Sequence, residues 1–142
     1  MHLREFTLED YDAVLALWQQ YPDALGIGRS DSRAEIAKKL ERDPDLFIVA
    51  EEEGRIAGSV IGGFDGRRGL IYHLAVDPGF RGRDLGRTLM NELERRLSAK
   101  GCIRAYLLVR VENLGVVAYY EKRGWEPIPV TTLGKNLAKR EE

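Results

Sequence analysis

Residues 70–101 constrain the fold of this chain more than any other segment. Residues 70–76 form an apolar, strand-like run, and Asp77-Pro78-Gly79 ends it. Arg81-Gly82-Arg83-Asp84-Leu85-Gly86 then leads without a linker into a helical pattern. Leu85, Leu89, Leu93 and Leu97 recur every four residues with Met90 beside them, while Arg95, Arg96 and Lys100 fall among the outward positions. Gly101 suits the C-terminal cap of that helix. A helix with one apolar stripe must bury it, and the strand that feeds it belongs to the sheet that can cover it.

The remaining sequence extends this unit on both sides. Residues 2–6 alternate as a strand would. Thr7 stands three residues before an acid and Ser32 three before Glu35, so each opens a helix with a capping residue. Tyr11, Val14, Leu15 and Trp18 give the first helix its apolar stripe, to about Tyr21, and Ile36 and Leu40 serve the second. Residues 22–30 read as a loop. Residues 46–50 are a continuous apolar run, Glu53-Gly54 is a turn signal, residues 55–64 read as a strand, and Asp65-Gly66 is a hairpin signal. Beyond the long helix, residues 103–109 read as a buried strand and Asn113 as the cap of a short helix through Lys122, ended by Gly124. Residues 125–137 hold one or two further strands in this reading. The order is β-α-α-β-β-β-α-β-α-β. Three consecutive strands before one long helix exclude a doubly wound fold and predict an α/β protein of the α+β type, a mixed sheet with helices on its faces.

Length suits a single domain over residues 1–142, able to bury a core without disulfides or metals. The formal net charge of −1 gives no bulk attraction to nucleic acid or to an anionic membrane. Cys102 is the one cysteine, so no intrachain disulfide forms, and no Cys/His cluster has zinc spacing. The first residues lack the pattern of a signal peptide, and apolar runs such as 105–109 are far too short to cross a bilayer. A cytoplasmic protein without a metal is expected.

The chemistry lies in the loop before the long helix. The first amides of a helix have no internal partner, and the macrodipole leaves partial positive charge there. Glycines let backbone approach a phosphate closely, and Arg81, Arg83 and Arg87 add charge. The segment therefore reads as a cradle for a phosphate or pyrophosphate, or else as an ordinary strand–turn–helix with surface arginines. Gly-Lys-Ser/Thr of a P-loop is absent, and so is the three-glycine Rossmann fingerprint, which disfavours a nucleotide-binding regulator.

Leu74-Ala75-Val76-Asp77-Pro78, followed by Arg81-x-x-x-x-Gly86 opening a long helix, resembles motif A of the GNAT acetyltransferases. Asn113, six residues, then Tyr120-Glu121-Lys122-Arg123-Gly124-Trp125 resembles their motif B. The element order matches as well, so the resemblance covers nearly the whole chain. The hairpin Gly62-Gly63-Phe64-Asp65-Gly66-Arg67-Arg68-Gly69 is similar to that of a small bacterial subgroup related to ribosomal-protein and peptide N-terminal acetyltransferases.

The resemblance implies a splayed central strand pair with acetyl-CoA as cosubstrate in the gap. Backbone of Leu74, Ala75 and Val76 would lie along the pantetheine arm, and the Val76 N–H would face the acetyl oxygen as an oxyanion donor. Amides of Arg81, Gly82, Arg83, Asp84, Leu85 and Gly86, with Arg87, would hold the pyrophosphate. Asn113 would contact the CoA arm, and Tyr120 would protonate the departing thiolate, with Tyr119 left to the core. The acceptor would be a primary amine on a small molecule, a lysine or a peptide N-terminus, with room for a homodimer. A non-catalytic acyl-CoA-binding module is the alternative.

Two positions depart from the family pattern. Leu108 stands where related N-terminal acetyltransferases carry a glutamate, so the general base is open among Tyr72, His73, Glu51 and Glu52. Strand alternation lets only one of Tyr72 and His73 face the substrate, and Tyr72 is favoured. Asp84 stands where glycine is usual. A carboxylate about 6 Å from a phosphate charge costs about 0.7 kcal/mol in water and about 3 kcal/mol at an effective dielectric of 20, so its side chain is expected to point to solvent. Aspartate tolerates left-handed backbone angles and suits a helix N-terminus.

Overall fold

The apolar run at residues 46–50 is central because both of its faces are covered, as in strands buried on two sides. A computed structural model of the chain describes residues 1–21 and 25–138, without the side chains of residues 111–113. The elements are β1 (His2–Glu5), α1 (Tyr11–Trp18), α2 (Arg33–Arg42), β2 (Phe47–Glu52), β3 (Arg55–Phe64), β4 (Gly69–Val76), α3 (Leu85–Ala99), β5 (Ala105–Leu107) and α4 (Val117–Glu121). The sheet order is β1-β2-β3-β4-β5, antiparallel except for the parallel β4–β5 pair. This is the mixed α/β architecture that the sequence predicts.

Alternation along β2 divides the core. Leu46, Ile48 and Ala50 face α3, where they meet Leu85, Leu89, Leu93 and Leu97. Phe47 and Val49 face the other side, where Tyr11, Val14, Leu17 and Trp18 of α1 and Ile36 of α2 cover them. The Ser32 hydroxyl accepts the Glu35 amide to start α2. The Asp10 carboxylate takes the Thr7 amide ahead of α1, which ends at Trp18 rather than near Tyr21.

Two sequence expectations fail after α3. The strand predicted over residues 103–109 shrinks to Ala105–Leu107, and Ile103 is 95% exposed. Its partner β4 stays with it only through Gly69↔Ala105, Leu70↔Tyr106 and Ile71↔Leu107, so Leu108 and Val109 have no ladder to join. The final strands predicted over 125–137 are not formed, and the chain runs there without regular structure. Pro127 and Pro129 lack amide donors, which suits them poorly to a ladder.

Helix α3 lies so close to β3 that side chains there are excluded. A Cβ added at Gly58 would stand 2.9 Å from Leu89 Cδ1 and 3.0 Å from the Ala75 carbonyl oxygen, a backbone atom that cannot swing away. Gly58→Ala should therefore destabilise the fold by about 1–3 kcal/mol, the usual cost of overpacking. A lowered urea midpoint at an unchanged m-value would report it, and an unchanged midpoint would refute the close packing.

Candidate functional site

The parting of β4 from β5 begins at a bulge. Ile61 pairs with Tyr72 but Ser59 pairs with Ala75, so β4 carries one extra residue over that interval. His73 absorbs it with φ of +53°, a left-handed conformation uncommon for a non-glycine residue. Past this point β4 and β5 diverge around a cleft of about 1030 Å³. Both Tyr72 and His73 line it, because the bulge breaks the alternation that would have turned one of them away.

The divergence exposes one edge of β4. Asp77 N–H donates to the Ala57 carbonyl, and Ala75 pairs with Ser59. Val76 lies between these two, so antiparallel alternation directs its own N–H and C=O away from β3, toward the opening. Its carbonyl accepts the Tyr21 hydroxyl at 2.8 Å. That same hydroxyl accepts from the Arg81 guanidinium at 2.8 Å, and the cation lies over the Tyr21 ring.

The loop after β4 is shaped by two left-handed residues, Gly82 with φ of +83° and Asp84 with φ of +56°. The first bond into α3 runs from the Thr88 amide to the Asp84 carbonyl, so the amides of Leu85, Gly86 and Arg87 have no intrahelical partner. Leu74, Ala75, Val76, Gly82, Leu85 and Gly86 border the cleft, as do Arg81, Asp84 and Tyr120. A Cβ added at Gly86 would project to 3.8 Å from Leu74, Val76 and the Tyr119 hydroxyl, which narrows the opening there. The Asp84 side chain is 71% exposed and leans toward Arg87 at 3.9 Å, so the expectation that it points to solvent holds.

Arg83 and Arg87 do not border the cleft. Arg83 donates to Glu52 at 2.7 Å, which holds that carboxyl below its ordinary range, and it covers the Phe80 ring. Glu51 is bound to Arg4. Neither glutamate borders the cleft, so neither is positioned there as a base. The Asp65 hairpin stands apart from the cleft too, its carboxylate accepting the amides of Arg67 and Arg68.

On the far wall, Leu108 is 55% exposed and borders the cleft where an acid was missed. The Asn113 side chain lies outside the described residues. Tyr120 is half-buried, packs against the α3 core and has its hydroxyl pKa raised, first by burial and then by Tyr119. Tyr119 was expected in the core. It is instead exposed, borders the cleft and carries the Arg123 guanidinium 3.6 Å from its ring centroid, because a helix as short as α4 has little face to bury.

Sequence reasoning also missed Tyr21 and Asp31. His73 Nε2 lies 2.9 Å from Asp31 Oδ1 across the cleft's inner wall. Burial raises the Asp31 pKa, but the His73 hydrogen bond, the Gly28 amide and the His73 charge outweigh it and leave a net lowering. Burial drives the Tyr72 hydroxyl up to about 12, with smaller pushes from Asp31 and Asp43. No local sequence signal links partners 42 positions apart. Among the described residues no group of three or more His, Cys, Asp or Glu side chains is placed to hold a metal, and no helix is long and apolar enough to cross a membrane.

Known proteins share this arrangement. The sequence profile of the acetyltransferase (GNAT) family matches residues 9–125. An acetyltransferase of Pectobacterium atrosepticum is 44% identical over 142 residues, 100% of this chain and 99% of the relative. One from Yersinia enterocolitica is 42% identical over the same shares. Among solved structures, the PaiA N-acetyltransferase of Thermoplasma acidophilum in complex with coenzyme A superposes with a TM-score of 0.71 at 18% identity, covering 86% of this chain and 87% of that one. With relatives this similar from end to end, the chain belongs to the GNAT family and is an acetyl-CoA-dependent N-acetyltransferase.

Proposed function

We propose that the enzyme acetylates a primary amine by direct attack on acetyl-CoA in a ternary complex. The observation that carries this reading is the three-residue limit of the β4–β5 ladder, which leaves β4 with a free inner edge along a deep cleft. An extended pantetheine arm can pair with such an edge. The residues present fit acetyl-CoA: amides without helical partners at the start of α3, Gly86 in place of a side chain, and Arg81 at the mouth. Arg81, Gly82 and the amides of Leu85, Gly86 and Arg87 would hold the diphosphate. Arg83 and the Arg87 side chain would contribute field rather than contact.

The Val76 N–H, fixed in the sheet, would stabilise charge growing on the acetyl oxygen without reorganising as the reaction proceeds. Tyr120 would deliver a proton to the departing sulfur. Its raised pKa keeps the hydroxyl protonated at neutral pH, as an acid requires. The amine would enter past Leu25, Ser30 and Leu108, which line the cleft.

Thiol release with acetyl-CoA and a panel of amines, including Nα-acetyl-lysinamide and a tripeptide with a free N-terminus, tests this reading. Turnover with a primary amine supports it, and binding without turnover of any primary amine across the pH range would overturn it. Tyr120→Phe should lower turnover about 10²–10⁴-fold, the range of a lost proton donor, while Tyr119→Phe changes it less than about tenfold. The opposite order would assign the acid to Tyr119. Asp84→Gly should change the acetyl-CoA dissociation constant by less than about fivefold in calorimetry, because an exposed charge contributes roughly 1 kcal/mol at most. A larger gain would mean that the carboxylate faces the diphosphate.

A further inference from the structure

The His73 imidazole is held on one side and open on the other. Asp31 Oδ1 takes Nε2 at 2.9 Å, Asp31 Oδ2 accepts the Gly28 amide at 3.0 Å, and the Asp31 carbonyl accepts the Tyr11 hydroxyl at 2.7 Å. Asp31 is only 5% exposed, so this carboxylate is committed to its partners. Trp18 meets the imidazole edge-on at 4.8 Å, and Tyr72 at 5.3 Å. An ionised carboxylate only accepts hydrogen bonds, so the proton of the neutral ring resides on Nε2 and the lone pair on Nδ1. Nδ1 has no partner among the described residues. No buried side-chain nitrogen or oxygen there lacks one, so Nδ1 is not sealed in the core but reached from the cleft that His73 lines.

We infer that His73 is the general base of the transfer and that Asp31 is its positioning residue. This rests on the primary-amine reading above. His73 Nδ1 takes one proton from the acceptor ammonium, which frees the nitrogen lone pair. The amine nitrogen forms a bond to the acetyl carbon and the carbon–sulfur bond breaks. Tyr120 gives its proton to the thiolate and regains one from the nitrogen, which has a second to lose. The proton on His73 passes to solvent, so an ammonium and a thioester become an amide, a thiol and one released proton. An amine with pKa near ~10.4 is roughly one part in two thousand neutral at pH 7, so this acceptor class needs the base most. An α-amine, near ~8, needs it less.

Asp31 faces the imidazole from the Arg29–Asp31 turn, Trp18 from α1 and Tyr72 from β4, while Tyr11 of α1 bonds the Asp31 carbonyl. Tyr21, Arg81, Asp84, Arg110, Tyr119 and Tyr120 complete the titratable groups of the cleft walls among the described residues. Asp31 fixes which ring nitrogen of His73 carries the proton, so replacing its carboxylate with an amide, which can donate as well as accept, loosens that assignment.

The test uses His73→Asn, since asparagine tolerates the left-handed backbone required there. With Nα-acetyl-lysinamide as probe, kcat/KM at pH 7 should fall about 10²–10⁴-fold and lose its acid limb. The fall should be smaller with the free tripeptide, and the acetyl-CoA dissociation constant should be unchanged. Asp31→Asn should keep partial activity, with the proton of the neutral His73 ring redistributed between Nε2 and Nδ1 in the proton–nitrogen spectrum. The chain has two histidines, His2 and His73, so His73→Asn also assigns the ring signals in a long-range proton–nitrogen spectrum. Wild-type His73 should be protonated on Nε2 when neutral. Protonation on Nδ1, an unchanged pH limb in His73→Asn, or a parallel loss of acetyl-CoA binding would each overturn the assignment. A wild type that binds acetyl-CoA but acetylates no amine in the panel overturns the primary-amine reading and the base with it. An active His73→Asn overturns the base alone.

Discussion

The left-handed turn of the backbone at His73 is the constraint on which the site depends. With φ of +53° it inserts an extra residue into β4, and from there β4 no longer tracks β5. A residue so held costs on the order of 1–3 kcal/mol and persists only where its surroundings fix it. Here the surroundings that fix the backbone are the β3 pairs on either side of the bulge, Ile61↔Tyr72 and Ser59↔Ala75, while the 2.9 Å hydrogen bond to Asp31 and the Trp18 ring hold the side chain. The residue whose backbone opens the cleft thus also presents an oriented imidazole to it. Strain, cavity and polar chemistry therefore have one local cause.

The end of the cleft proposed to take the diphosphate is organised differently, by distributing charge rather than by strain alone. Three arginines lie in or just beyond the loop, but only Arg81 borders the cleft. Arg83 is drawn to Glu52 and the Phe80 ring, and Arg87 leans toward Asp84. Such exposed pairs contribute little to stability. Their effect is to leave backbone amides as the fixed donors at the start of α3, with the Arg81 guanidinium, held by Tyr21, beside the cleft. Aspartate at position 84 is compatible with this design because it adopts the left-handed angles that glycine would otherwise supply, while its carboxylate turns outward.

Where the sequence was legible, a periodic pattern met a matching surface. The leucines of α3, the two-faced run of β2, the Ser32 cap and the Asp65-Gly66 turn all declare themselves within a few residues, and all are formed. The strand–loop–helix character of residues 76–86 was equally plain. What could not be read was set by distant partners. Alternation assigned one of Tyr72 and His73 to the cleft, whereas the bulge presents both. Tyr119 read as core because nothing local says that α4 would be a five-residue helix. The strand at residues 103–109 looked buried from its composition, yet strand length depends on a neighbour, and β4 withdraws after Ile71.

Among the described residues, two side chains of the segment between β1 and β2 hydrogen-bond to β4, one at each end of its open edge. Asp31, just before α2, holds His73 at the bulge, and Tyr21, just after α1, holds the Val76 carbonyl at the strand's end. Tyr21 also receives Arg81, so the same hydroxyl touches the strand and the diphosphate loop. The connection between α1 and α2 is thus tied to both halves of the cleft by hydrogen bonds rather than by packing alone. Directional bonds of this kind fix position to a few tenths of an ångström, which apolar contacts do not. The proposed oxyanion donor and base, Val76 and His73, lie on one strand and are each anchored from the same connection, although the β5 side of the cleft gives β4 no ladder to lean on.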